Sequence, residues 1–115
     1  MTGLLRRAFG TIDVSRHEIT SLWQRLVSID SSSTDKPGVD AVSRIAEEEL
    51  QSLGFTVSAV DYEKAGRLLI ADFGDPSLPP VLQLGHLDTV FAAGTAAEAP
   101  SLSTATVSPA PACSI

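Results

Sequence analysis

Apolar positions along the first half of the chain recur with a helical period and then switch to alternation. Ile19, Leu22, Trp23 and Leu26 fall on one helical face. Ahead of them, Ser15-Arg16-His17-Glu18 has the form of a capping box, a serine hydroxyl for an orphan N–H with a glutamate reaching back. Together they predict a helix over about 15–28. Ser31-Ser32-Ser33-Thr34 then reads as a polar loop. A second helix is expected to start near Pro37, whose missing N–H costs nothing in a first turn. Its inner stripe is Val39, Val42, Ile45, Ala46, Leu50 and Leu53, with Arg44, Glu47, Glu48 and Gln51 facing water. Gly54 suits the left-handed stop after it.

From Phe55 the period becomes two. Phe55, Val57 and Ala59 alternate with Thr56 and Ser58, which predicts a strand to about Tyr62. Lys64-Ala65-Gly66 supplies a turn, and Leu68 to Phe73 a second strand, so the pair reads as a hairpin. Beyond the loop Gly74-Asp75-Pro76-Ser77, the run Val81 to Leu84 is mostly apolar without clean alternation. That predicts a third strand, buried on both faces. Helices and strands mixed in this way give an α/β class.

Length and composition narrow the function classes. The chain has 115 residues, enough for one domain, and is 43% hydrophobic, as a globular protein is. A net charge of -6 opposes nucleic acid as a partner, since a phosphate backbone asks for a basic face. A single cysteine, Cys113, excludes an internal disulfide. The first ten residues lack the apolar core of a signal peptide, and no apolar run reaches membrane-spanning length. A cytoplasmic, soluble protein is the expectation, with no membrane partner.

Candidate chemistry sits at Gly85-His86-Leu87-Asp88-Thr89-Val90-Phe91, directly after the apolar run. Ligands in open α/β sheets bind beyond the carboxyl ends of strands. Gly85 would let the backbone turn there without a side chain in the way. His86 offers an imidazole, a common zinc ligand. Asp88, two residues on, could hydrogen-bond the other ring nitrogen and fix its tautomer. Against this stands the plainer reading of a strand-end histidine and a loop aspartate, because a bare His-x-Asp matches often by accident. Glu47-Glu48-Glu49 reads as a solvated charge run and His17 as a first-turn helix residue, neither as a ligand.

The wider run changes the balance. Val81-Leu82-Gln83-Leu84-Gly85-His86-Leu87-Asp88-Thr89-Val90-Phe91, followed by Gly94-Thr95-Ala96-Ala97-Glu98, resembles the co-catalytic zinc metallopeptidases. That family contains glutamate carboxypeptidases, aminoacylases, dipeptidases and succinyl-diaminopimelate desuccinylases. Thr-Val-Phe with a following Gly-Thr looks most like the glutamate carboxypeptidase branch. The resemblance extends back through Leu53-Gly54-Phe55 and covers roughly residues 15–100.

The resemblance implies a metallo-exopeptidase or amidohydrolase acting on a small peptide or N-acyl amino acid. It implies two zinc ions in the complete enzyme, with His86 matching a histidine that ligates one of them and Asp88 matching the aspartate that orients it. In such enzymes zinc-bound water becomes hydroxide near neutral pH, and a glutamate moves its proton. Family members often dimerise. The implied fold is the N-terminal part of a zinc-exopeptidase-like three-layer sandwich: two helices, a hairpin and one further strand. The organisation expected is an N-terminal arm over 1–14, a partial catalytic domain over 15–100 and an aberrant tail over 101–115.

The family's later ligands and its Glu-Glu pair have no counterpart after Pro100. From Ala99 to Ile115 there is neither charge nor glycine, only scattered apolar residues among Ser, Thr, Ala and Pro. The tail is therefore expected to be disordered. The genetic code suggests its origin. In the neighbouring reading frame, the codons from Leu102 to Ile115 permit Val-Asp-Gly-Asp-Arg-Val-x-Gly-x-Gly-Val-Leu-Asp, which resembles the family's next segment. One base lost just after the Pro100 codon would produce it. The expectation is a truncated fragment, inactive by itself and without stably bound zinc, since a catalytic zinc needs three protein ligands. The alternative is a non-catalytic small domain, or an unstable frameshift product, that at most binds a partner.

Overall fold

The computed structural model describes residues 2–98, so the tail and its predicted disorder lie outside the described residues. Helices α1 (Gly3–Val14), α2 (Arg16–Val27) and α3 (Lys36–Ser52) precede strands β1 (Thr56–Val60) and β2 (Leu68–Asp72), and a single turn, α4 (Thr95–Glu98), follows. Helices mixed with a two-stranded antiparallel sheet agree with the α/β class.

Residues 3–14, to which the pattern assigned no element, form α1. It runs almost directly into α2, and this explains why the predicted capping box is not formed. Ser15 closes α1 with its N–H on the Thr11 carbonyl and opens α2 with its carbonyl on the Ile19 N–H. Its side chain caps nothing. Ile19 and Trp23 stay about half exposed, at 50% and 55%, so the predicted stripe of α2 is only partly covered, through Leu22 and Leu26.

Helix α3 follows its prediction closely. Asp35 is its N-cap, accepting the Gly38 N–H at 3.2 Å, and Pro37 lies in the first turn. At the other end the Phe55 N–H reaches the Leu50 carbonyl and the Gly54 N–H the Gln51 carbonyl, both at 3.0 Å. This is a Schellman motif, and it requires the left-handed conformation that Gly54 adopts at φ +90°. Val39 and Val42 are buried, Ile45, Ala46 and Leu50 half-buried, but Leu53 is exposed because the helix has already ended there.

The hairpin is as expected, with Thr56 opposite Asp72 and Val60 opposite Leu68. Val57, Ala59, Leu69 and Ala71 face inward, and Thr56, Ser58, Val60, Leu68, Ile70 and Asp72 outward. Phe55 and Phe73 meet beyond its open end, ring centroids 5.0 Å apart.

A polar clasp holds the hairpin to α3. Asp40, buried on α3, accepts Lys36 Nζ at 2.8 Å on one oxygen and the Arg67 N–H at 2.9 Å on the other. The Lys36 ammonium, and next the Arg67 amide, hold the Asp40 carboxyl below the usual aspartate range. The Arg67 guanidinium reaches Glu47 at 3.0 Å and Asp61 at 3.2 Å. Glu47 therefore does not face water as its helical position suggested. A cation brought by the hairpin draws it inward.

The predicted third strand is absent. Residues 80–84 form no ladder, and Val81, Leu82 and Leu84 are 87%, 80% and 88% exposed rather than buried on both faces. Among the described residues the only β pairings are β1 with β2 and a parallel bridge from Ser32 to Thr89. A strand needs a partner for its N–H and C=O groups, and an apolar composition does not supply one.

Candidate functional site

The segment after residue 85 returns to the polar turn that separates α2 from α3. The Thr89 N–H donates to the Ser31 carbonyl at 2.7 Å, and the Ser33 N–H to the Thr89 carbonyl at 3.1 Å. Thus the serine turn read as a plain loop is half of a parallel bridge. Ser33 Oγ also donates to Asp88 Oδ2 at 2.5 Å. That hydroxyl is the first reason the Asp88 carboxyl sits below the usual aspartate range, outweighing the opposing effect of partial desolvation.

His86 and Asp88 are brought together, though not quite as the spacing suggested. His86 Nδ1 lies 2.8 Å from the Asp88 backbone carbonyl and 3.4 Å from Asp88 Oδ1. The carbonyl is the nearer partner, with the carboxylate oxygen just behind it. A carbonyl only accepts, so Nδ1 carries the hydrogen, and in the neutral ring Nε2 keeps its lone pair. The imidazole is 83% exposed and borders a groove of about 440 Å³. The groove wall is mainly apolar, lined by Trp23, Leu26 and Val27 of α2 and by Leu87 and Phe91. Gly85 is not needed for space, since a Cβ there would meet nothing within 4 Å and its φ is not left-handed.

Asp30 carries structure that the pattern gave no reason to single out. Its carboxylate accepts the Gly94 N–H at 2.7 Å and the Ala96 N–H at 2.9 Å, across more than sixty residues. Gly94, at φ +93°, turns the chain so that both amides converge on it. The Ala96 and then the Gly94 amide hold the Asp30 carboxyl below its usual range. The sequence signal is modest: an aspartate just past a helix end.

Stability that depends on a depressed carboxyl is present above the ordinary aspartate value and is lost as pH falls through the lowered one. The Gly94 and Ala96 amide proton resonances should therefore move together below about pH 4. Asp30→Asn should abolish that movement, and Asp30→Ala should remove the exchange protection of both amides at neutral pH. Unchanged protection in Asp30→Ala would show that the turn is held by something else.

Histidine and carboxylate chemistry of this kind suits a metal, and the donor set defines how far. His86 presents Nε2 free of any described partner, as a ligand would. Among the described residues, however, no three His, Cys, Asp or Glu side chains gather into a metal-binding group. Glu47 is committed to Arg67, and His17 lies exposed on the first turn of α2. Nor is any described helix long and apolar enough to cross a membrane.

No protein-family profile matches the chain, and no solved structure does. Among curated proteins, Carboxypeptidase G2 of Pseudomonas sp. (strain RS-16) is 33% identical over 85 residues, 67% of this chain. The chain spans 19% of the length of that protein. Part of the chain is thus similar to part of a carboxypeptidase.

Proposed function

We propose that residues 2–98 carry one corner of the metal site of a zinc-dependent hydrolase of carboxypeptidase type. His86 would ligate zinc through Nε2 and Asp88 would orient the ring. The observation that supports this most directly is the fixed imidazole: Nδ1 engaged by Asp88, Nε2 free, and the ring open to a groove. The likeness to Carboxypeptidase G2 supports the reaction class, and a small peptide or N-acyl amino acid is the substrate class proposed. Zinc, when bound, supplies a Lewis acid and an acidified water. The remaining ligands would come from outside the described residues, because a catalytic zinc takes three protein ligands. By themselves these residues are proposed not to catalyse.

His17 makes an internal control for the test. In a nitrogen-15-labelled chain titrated with Zn²⁺, the His86 Nε2 resonance should shift while both His17 nitrogens stay in place. Equal responses from the two rings, or none from His86, would remove the metal reading. Turnover of a glutamate-containing dipeptide by the chain with zinc would remove the statement that it does not catalyse.

A further inference from the structure

The hydrogen bonds around Asp88 single out a residue that neither His86 nor Asp88 chemistry names. Ser33 lies 55 positions before Asp88 and bonds it through its hydroxyl on Oδ2, while its N–H bonds the carbonyl of the next residue, Thr89. The same hydroxyl lies 3.3 Å from the Thr89 carbonyl, a longer second contact. An aspartate side chain rotates about two bonds. With Oδ2 tied to Ser33, the other oxygen is the one turned toward His86 Nδ1, at 3.4 Å. The backbone of the serine turn is itself fixed to the segment by the Ser32–Thr89 bridge. The relay therefore starts from a rigid base at the foot of α3.

We propose that Ser33 is a positioning residue: its hydroxyl sets the rotation of the Asp88 carboxylate, and through it reinforces the ring orientation and the Nδ1–H tautomer of His86 that the Asp88 backbone carbonyl already favours. The metal-affinity part of this inference rests on His86 being a zinc ligand, whereas the tautomer part does not. A carboxylate held beside Nδ1 favours the hydrogen there and leaves Nε2 as the nitrogen that faces a metal. Freed, the carboxylate turns to water, and the Asp88 backbone carbonyl alone remains to hold the ring. Groups one step beyond a metal ligand typically tune affinity tenfold or more. Ser33 acts one step further out, so a smaller factor is expected.

The test uses the full chain, metal-free and then with Zn²⁺ alone as the probe. In Ser33→Ala, the metal-free His86 ring should gain a measurable share of the Nε2–H tautomer in its nitrogen-15 shifts, while His17 stays unchanged. Its zinc affinity should fall by roughly threefold to tenfold. Ser33→Thr keeps the hydroxyl at an exposed position and should restore both readouts. A purely structural role would instead lower stability without moving the ring tautomer. Wild-type shifts in Ser33→Ala would overturn the proposal, as would a Ser33→Thr chain that behaves like Ser33→Ala. A wild-type ring indifferent to zinc, with a tautomer still sensitive to Ser33, would sink the metal reading and leave Ser33 as the positioning residue.

Discussion

Gly38→Ala should destabilise the protein strongly, although the replacement improves helix propensity. Gly38 is the third residue of α3 and has no left-handed backbone, so propensity alone predicts a gain of about 0.5–1 kcal/mol. Sterics predict the reverse. A Cβ on Gly38 would come within 2.0 Å of the Asp30 carbonyl oxygen and 2.7 Å of Asp35 Oδ2. The aspartate oxygen could swing away at the expense of the helix cap. The carbonyl is backbone, and moving it moves Asp30 as a whole. Overpacking of this kind costs about 1–3 kcal/mol, and a rigid obstacle puts this case at the upper end. Asp30 also holds the Gly94 and Ala96 amides. The damage should therefore spread from α3 to the groove beside His86. Chemical denaturation should show a lower midpoint, and the Gly94 and Ala96 amides should lose protection before those of β1 and β2. A midpoint equal to or above wild type would mean that the turn at Asp30 is free to yield.

Gly38 also marks where the sequence could be read and where it could not. Helix α3 and the hairpin were legible because their signals are local. The stripe through Val39 and Val42, the proline near the start, the glycine at the end and the alternation after Phe55 each need only neighbouring residues. Helix α1 carried such a signal too, in Leu5, Phe9 and Ile12 at helical spacing, interrupted by Gly10. The opposite errors share one cause. The run Val81 to Leu84 has a strand's composition, but strands are made by partners, and none lies beside it among the described residues.

The candidate site was half legible for the same reason. His86 and Asp88 stand two apart and announce themselves. Ser33 reaches Asp88 from 55 residues away, and Asp30 takes the Gly94 and Ala96 amides from 64 and 66; neither spacing nor period encodes contacts of that range. Serine in a run of serines and aspartate after a helix are ordinary loop chemistry. Only the fold turns them into supports. Glu47 makes the same point in reverse. Its helical angle faces it outward, and a single arginine on the hairpin overrides that angle.

Gly66→Ala should expose the dependence of the hairpin on its contact with α3. Gly66 has no left-handed backbone, so alanine there is locally acceptable and would otherwise stabilise by about 0.4–1 kcal/mol through the unfolded chain. The obstacle is Val39: a Cβ on Gly66 would lie 2.2 Å from its Cγ1 and 2.6 Å from its Cβ. Valine cannot swing clear, because its branched side chain has one strongly preferred rotamer in a helix. Val39 is also one of the two buried apolar side chains among the described residues, so displacing it opens the core. Retreat of the hairpin is no cheaper, since the next residue, Arg67, bonds Asp40 through its N–H and Glu47 through its guanidinium. A loss of about 2 kcal/mol is expected. A double-mutant cycle separates this clash from any other effect. Val39→Ala alone should destabilise by removing two buried methyl groups, at about 0.8 kcal/mol each or somewhat more. In the V39A background, Gly66→Ala should cost less than in wild type, because the 2.2 Å obstacle is gone, but it should still cost something, because the 2.6 Å contact with the Cβ of residue 39 remains. Additive losses would mean that the methyl groups of Val39 are not what obstructs residue 66, and the packing of the hairpin on α3 would then have to be redrawn.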